Sequence, residues 1–173
     1  MEQKKFGQVM KEHLSPVYNF IYRLTGNADS AADITQETFI KVWKNLKRFD
    51  QTKSFKPWLF AIARNTTIDW LRKRRAIPFS DLSNQDEGDF ENNIPDYFPL
   101  PDELFQRQEL QILLENALAK LPITDRTIIL LHHPEELTFA EIGKILEQPL
   151  NTVKSRYRRA LAALRQFLIT APK

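Results

Sequence analysis

Leu137-Thr-Phe-Ala-Glu-Ile-Gly-Lys-Ile-Leu-Glu-Gln-Pro-Leu-Asn-Thr-Val-Lys-Ser-Arg-Tyr-Arg-Arg-Ala-Leu-Ala-Ala-Leu-Arg165 is the stretch whose reading decides the fold. Thr138 followed three residues later by Glu141 is a capping box, which satisfies the free N–H groups at a helix start. Phe139, Ile142, Ile145 and Leu146 give that helix its apolar face. Glu147-Gln148-Pro149-Leu150 has room only for a turn, after which Asn151 or Thr152 is expected to cap a second helix. Val153, Tyr157, Leu161, Leu164 and Leu168 recur at i, i+4, i+8, i+11 and i+15, so they form its core face. Lys154 with Arg158, and Ser155 with Arg159, are i, i+4 pairs elsewhere on its surface. Two helices joined by a short turn, the second cationic and hydroxylic at its start, have helix-turn-helix geometry. Such a recognition helix turns its first residues toward major-groove base edges. There Arg and Lys donate to guanine, and Ser and Thr bond bases or phosphate. An ordinary helical hairpin with a solvated charged face would show the same helix pair; Gln-Pro-Leu-Asn-Thr-Val-Lys-Ser-Arg argues against it.

Upstream the periodicity stays helical. Leu110, Leu113, Leu114, Ala117, Leu118 and Leu121 predict an amphipathic helix over 109–121, ended by Pro122. Thr124-Asp125-Arg126 is expected to cap the next helix, which carries Ile128 to Leu131 and stops at Pro134.

The N-terminal block also reads as helices throughout. Val17, Phe20, Ile21 and Leu24 have helical spacing from Pro16, and Gly26-Asn27 suits the left-handed residue that closes a helix. Asp29 and Ser30 are candidate caps for a helix with Phe39, Val42, Trp43 and Leu46 as its core stripe. Asp33, Gln36, Glu37 and Lys41 lie off that stripe. A polar connection over 47–54 leads to a third helix near Pro57, which ends in Arg72-Lys73-Arg74-Arg75. One or two of those cations would complement the helix dipole; four suit a phosphate-binding patch. Aromatics interleaved with cations offer stacking platforms to single-stranded nucleic acid. Trp58 and Trp70 read as core, whereas Phe49 and Phe55, in or beside the loop, fit either role.

The net charge of +3 over 173 residues hides this distribution. Residues 1–77 carry 15 Lys/Arg and 7 Asp/Glu, residues 78–103 carry none and 8, and residues 104–173 carry 10 and 7. Two basic blocks thus flank an acidic one that holds Pro78, Pro95, Pro99 and Pro101, and such a run cannot bury enough apolar surface to offset chain entropy. It reads as a linker, either a solvated tether or a strip lying on a partner through Phe79, Phe90, Ile94, Tyr97, Phe98 and Leu100. With no Cys there is no disulfide framework, Cys zinc site or Cys nucleophile. His13 is isolated and His132-His133 are adjacent, so no metal site is expected. No window reaches 18 apolar residues and the N-terminus is polar, so neither membrane insertion nor secretion is expected. Cytoplasm is the default compartment.

The 137–165 stretch resembles region 4 of the sigma-70 family, in particular its small two-domain extracytoplasmic-function (ECF) group. Asp33-Ile-Thr-Gln-Glu-Thr-Phe-Ile-Lys-Val-Trp43 and Phe55-Lys-Pro-Trp-Leu-Phe-Ala-Ile-Ala-Arg-Asn-Thr-Thr-Ile-Asp-Trp-Leu-Arg-Lys-Arg-Arg75 are similar to region 2 of the same group. Both motifs stand in the family's order with an acidic linker between them, over about residues 14–77 and 107–168.

The resemblance implies an all-α chain of two small helical domains, 1–77 and 107–173, joined by an acidic linker over 78–106. It implies an initiation subunit that binds core RNA polymerase through the β′ clamp and the β subunit, recognises promoter DNA and helps open it. Asp33, Gln36, Glu37 and Lys41 match the face that docks on the β′ clamp. Phe49, Asp50, Gln51, Thr52 and Lys53, with Asn65, match the pocket that captures a flipped base of the −10 element. Arg64, Arg72, Lys73, Arg74 and Arg75 would neutralise nearby phosphates. Thr152, Lys154, Ser155, Arg158 and Arg159 match the −35 reader, and Arg156 serves the DNA backbone or packing. The linker would enter the polymerase near the RNA exit path. The resemblance also implies an anti-sigma factor as regulator, with no cofactor and no small-molecule substrate.

Two features depart from the family's pattern. His132-His133-Pro134 replaces an Arg-Tyr-type sequence, and Glu147-Gln148 stands where Gly or Asn is frequent. Two rivals use less of the chain. A helix-turn-helix regulator acting alone would leave the N-terminal block unexplained. A decoy that binds regulators without polymerase has no use for an intact Asp33–Trp43 motif. An enzyme has no support: there is no Gly-rich phosphate loop, no paired carboxylates in an apolar setting and no nucleophile with its base.

Overall fold

A computed structural model of the chain describes residues 2–76 and 102–170. Regular structure among them is entirely helical: α1 Glu2–Thr25, α2 Ala28–Asn45, a 3-10 turn Leu46–Arg48, α3 Phe55–Ala76, α4 Asp102–Ala119, α5 Ile123–His132, α6 Phe139–Leu146 and α7 Leu150–Thr170. The expected linker loses its last residues to α4, because Asp102 already opens that helix; residues 78–101 lie outside the described ones.

Helix α1 starts well before Pro16 and runs through it. A proline inside a helix removes one ladder bond. The helix persists because Val17, Phe20, Ile21 and Leu24 are buried on its far side. They meet Ala31, Ile34, Phe39 and Val42 of α2 and Leu59, Phe60 and Ala63 of α3, with Phe20 edge-on to Phe60 at 5.3 Å between ring centroids. Thr35, Thr38 and Thr67 are also buried; their hydroxyls donate to the carbonyls of Ala31, Ile34 and Ala63, so each of these hydroxyls is satisfied.

The cap expected of Thr124-Asp125-Arg126 is not made: α5 begins at Ile123 after Pro122, with no side-chain cap bond. Two more caps differ from expectation. Asn27, not Asp29 or Ser30, caps α2, its Oδ1 accepting from the Ser30 N–H at 2.8 Å. Gly26 supplies the left-handed residue just before it, at φ 71°. The other is α7, which begins at Leu150, one residue before the expected Asn151 or Thr152 cap. The Val153 N–H donates to the Pro149 carbonyl at 3.1 Å, the first bond of that helix. The Thr138–Glu141 capping box is present in full.

In the C-terminal half, Ala117, Leu118, Leu121, Ile128 to Leu131, Ile142, Ile145, Leu146, Val153, Ala160 and Leu164 form the core. Leu110 and Leu114, expected on the buried face of α4, are exposed instead, whereas Ala117 and Leu118 farther along it are buried.

The two halves pack on each other. Arg126 of α5 donates to the Arg23 carbonyl at 3.2 Å and the Leu24 carbonyl at 3.4 Å. It also donates to the Ala119 and Leu121 carbonyls. One guanidinium thus satisfies the free C-terminal carbonyls of α1 and α4 and complements both dipoles. Burial lowers its pKa. Lys56 of α3 pairs with Glu135, after α5, at 3.1 Å, and the Glu135 side chain is only 8% exposed.

Candidate nucleic-acid interface and docking face

Asp33, Gln36 and Glu37 are exposed along one side of α2. Lys41, half-buried, ties this face to α3: its Nζ lies 2.8 Å from Glu37 Oε1 and donates to Thr66 Oγ1 at 3.2 Å. The periodicity argument misplaced Trp43. It is 40% exposed, and Ile40, never singled out, is 46% exposed. Both border an apolar groove of about 960 Å³ between α1 and α2, lined also by Phe6, Met10, Leu14 and Phe39. Phe6 meets Trp43 edge-on at 4.8 Å, so the N-terminal extension of α1 builds the groove. The run of α2 residues i, i+3, i+4, i+7 from Gln36 would have found it, since Gln36, Ile40 and Trp43 share a face.

The loop after α2 is held by Asp50. Its Oδ1 accepts from the Thr52 N–H at 3.0 Å and from Thr52 Oγ1 at 2.7 Å. Lys53 donates its backbone N–H to the Asp50 carbonyl at 3.0 Å and puts its ammonium 3.7 Å from Oδ2. The Thr52 hydrogen bonds, and secondarily Lys53, hold the Asp50 carboxyl below its usual range. Phe49, Phe55 and Trp58 form a three-ring cluster with centroid separations of 4.7 to 5.4 Å, so Phe49 and Phe55 are packed rather than free. His13 lies 5.7 Å from Phe55, and burial lowers its pKa.

Loop and cluster open on a cavity of about 540 Å³ lined by Phe49, Asp50, Thr52, Lys53, Trp58 and, across from them, Glu141, Lys144 and Ile145 of α6. Gln51, at the turn tip, is exposed and not among the lining residues. Asn65 is exposed one turn beyond Ala61, a lining residue, and accepts from Arg64 at 2.9 Å. Farther along α3, Arg72 pairs with Asp69 at 3.1 Å, Lys73 is exposed and Arg74 covers the Trp70 ring at 5.2 Å. Arg75 belongs to α3, but its side chain lies outside the described ones.

On α7, Ser155, Arg158 and Arg159 are exposed, while Thr152 and Lys154 are half-buried. The Ser155 hydroxyl turns back to the Thr152 carbonyl at 3.0 Å. Arg156 is engaged elsewhere: it reaches Asp125 of α5 at 2.9 Å and braces the recognition helix. The turn before α7 is set by Glu147 at φ 54° and by the approach of the Gln148 carbonyl to Gly143. A Cβ on Gly143 would lie 2.9 Å from that oxygen, so only glycine fits. The His pair is part of the scaffold. His132 Nδ1 bonds the Leu137 carbonyl at 2.9 Å and its ring stacks on Phe139 at 4.2 Å, while His133 Nε2 meets the Tyr157 hydroxyl at 2.8 Å. No helix among the described residues is long and apolar enough to cross a membrane.

Comparison with known proteins agrees with this arrangement. Residues 9–77 match the family description of Sigma-70 region 2, and residues 111–164 match Sigma-70, region 4. The chain is 34% identical to the ECF RNA polymerase sigma factor SigW of Bacillus subtilis (strain 168), over 96% of this chain and 90% of that protein. Its fold is similar to that of the sigma factor RpoE from Bartonella quintana, solved with the anti-sigma factor NepR. The TM-score is 0.76 at 26% identity, covering 98% of this chain and 99% of that one. It is also similar to CnrH, solved with the cytosolic domain of CnrY, at TM-score 0.71 and 25% identity, covering 98% and 91% of the two chains. The chain belongs to the sigma-70 family as an ECF RNA polymerase sigma factor, the subunit that gives the polymerase its promoter specificity.

Proposed function

We propose that this sigma factor engages its partners through three surfaces that the fold keeps apart. Asp33, Gln36, Glu37 and Lys41, bordered by Ile40 and Trp43, dock on the β′ clamp of core polymerase. The Phe49–Lys53 loop with Asn65 captures a base of the −10 element, and Arg64 and Arg72 to Arg75 run along the adjoining phosphates. Thr152, Lys154, Ser155, Arg158 and Arg159 read the −35 element, with Arg156 bracing the helix that carries them. The units follow the same division about the acidic connection, with the second beginning at Asp102, where α4 opens, rather than at 107. The protein catalyses nothing itself in this reading, works in the cytoplasm where polymerase resides, and is held in check by an anti-sigma factor, as its solved relatives' partners suggest.

The observation that carries the docking reading is the exposure of Ile40 and Trp43 at 46% and 40% amid the polar residues of α2. Large apolar side chains left in water beside a groove mark a protein-binding surface. The test is retention of core polymerase by purified protein, wild type beside Gln36→Ala/Glu37→Ala. The double variant should lose polymerase while its circular dichroism and −35 DNA affinity stay unchanged. Retention by the folded variant would remove the docking face from this reading, and a loss of both properties would point to unfolding.

A further inference from the structure

We propose that Arg64 is a positioning residue for base capture: its guanidinium holds the Asn65 carboxamide with the oxygen turned toward itself and the NH2 group turned outward, so that the captured base is one that offers hydrogen-bond acceptors. The inference deepens the reading of Asn65 as a base contact and rests on it.

Helix α3 places the two residues differently. Trp58, Ala61 and Asn65 stand at i, i+3 and i+7, on one face. Trp58 and Ala61 line the cavity beside the 49–53 loop, and the exposed Asn65 continues their face by one turn. Arg64 instead stands one turn beyond the buried Phe60 and is itself half-buried. Its Nε is buried and has no hydrogen-bond partner, so the stem is committed to the protein and only the end of the fork emerges. There Nη1 donates to Asn65 Oδ1 at 2.9 Å.

The chemistry of this pair selects one orientation. A guanidinium has five donors and no acceptor, whereas a carboxamide has an oxygen that accepts and an NH2 group that donates twice. Asn65 can meet Arg64 only through its oxygen, and a charged donor makes that bond a strong one. Both N–H groups of Nδ2 then face away from Arg64. An asparagine that can turn over reads adenine, accepting from N6 while donating to N7. With Oδ1 turned inward, that pairing is disfavoured. Two outward donors suit adjoining acceptors, such as O6 and N7 of guanine or O2 and N3 of cytosine. The other guanidinium donors can still serve a phosphate, so the positioning role adds to that contact.

The test uses holoenzyme assembled from core polymerase and each variant, titrated with single-stranded −10 oligonucleotides that carry each of the four bases at each position in turn. Wild type should show a position where guanine or cytosine binds at least about fivefold better than adenine. Asn65→Ala should abolish that preference and leave the other positions unchanged. Arg64→Gln has an amide that both donates and accepts, so it fixes no orientation and should lower the preference at that position about threefold or more. Arg64→Met fills the place of the buried stem but donates nothing; it should act alike, and it stands in if Arg64→Gln does not fold. Arg64→Lys, a donor without an acceptor, should restore most of the preference. Uniform weakening on every oligonucleotide in Arg64→Gln, with the salt slope lowered by about one and the preference intact, would make Arg64 a phosphate contact only and overturn the proposal. A wild-type preference for adenine at the position that Asn65→Ala affects would overturn it too. If Asn65→Ala alters the preference at no position, the reading of Asn65 fails and the proposal falls with it. If Asn65→Ala abolishes the preference while Arg64→Gln and Arg64→Met keep it, the positioning role alone falls.

Discussion

The two surfaces assigned to DNA are built in opposite ways. The recognition helix presents Arg158 and Arg159 to solvent, and the residues that position them, Arg156 on Asp125 and Tyr157 on His133, lie behind. The 49–53 loop is bonded to itself through Asp50 and Thr52, floored by Phe49, Phe55 and Trp58, and faced by α6. One surface is open and supported from beneath; the other is an exposed loop bonded to itself over an aromatic floor, with α6 across the cavity. A groove-reading helix needs only exposure and a fixed axis. A pocket that takes a base out of the stack needs aromatic walls, and exposed aromatic walls attract any apolar surface nearby.

Substitutions can break or sharpen the contrast. The largest effect is expected from Gly143→Val, because its side chain meets the Gln148 carbonyl, a backbone atom that cannot rotate away. The cost should be about 3 kcal/mol of stability, seen as a lowered melting temperature with −35 affinity lost and core-polymerase binding retained at low temperature. A melting temperature equal to wild type would mean the turn is looser than its geometry indicates. Next comes Arg159→Ala, which should cost about 1–2 kcal/mol of discrimination between the cognate −35 duplex and a scrambled one. Equal weakening on both duplexes would make Arg159 a phosphate contact.

The smallest effect is that of pH on the side of the loop. Burial lowers the pKa of His13, against the raising influence of Glu12, and Lys56 and Glu135 also act on it. The unfolded chain therefore takes up the proton more readily than the folded one. The contribution of His13 is fully present above its ordinary value of about 6.5 and is lost as pH falls below it. The protection factors of amides near Phe55, corrected for the intrinsic pH dependence of exchange, should fall modestly between pH 7.5 and 5.5, and His13→Gln should flatten that dependence. A pH response that survives in His13→Gln would assign it to other groups.

Much was legible from the chain because it depends on neighbours in sequence. Capping box, turn, basic helix start and heptad-like apolar faces are local patterns, and the Thr138–Glu141 box and the helix-turn-helix order appear as expected. Trp43 was misassigned for an instructive reason. Spacing shows that it shares a stripe with Phe39 and Val42, yet a helix of this width buries only part of its apolar arc, and which part depends on where α1 and α3 lie. Leu110 and Leu114 fail in the same way, exposed on a helix whose later residues Ala117 and Leu118 are buried.

The sequence by itself determined the helices, their order, the charge blocks and the family, since each follows from periodicity, caps and motif spacing along one chain. Only the tertiary structure decided that Arg156 is a brace, that Phe6 folds back over Trp43, and that α6 faces the 49–53 loop. Those outcomes join residues from about 30 to almost 100 positions apart, and no local pattern encodes the free-energy balance that brings such distant side chains together.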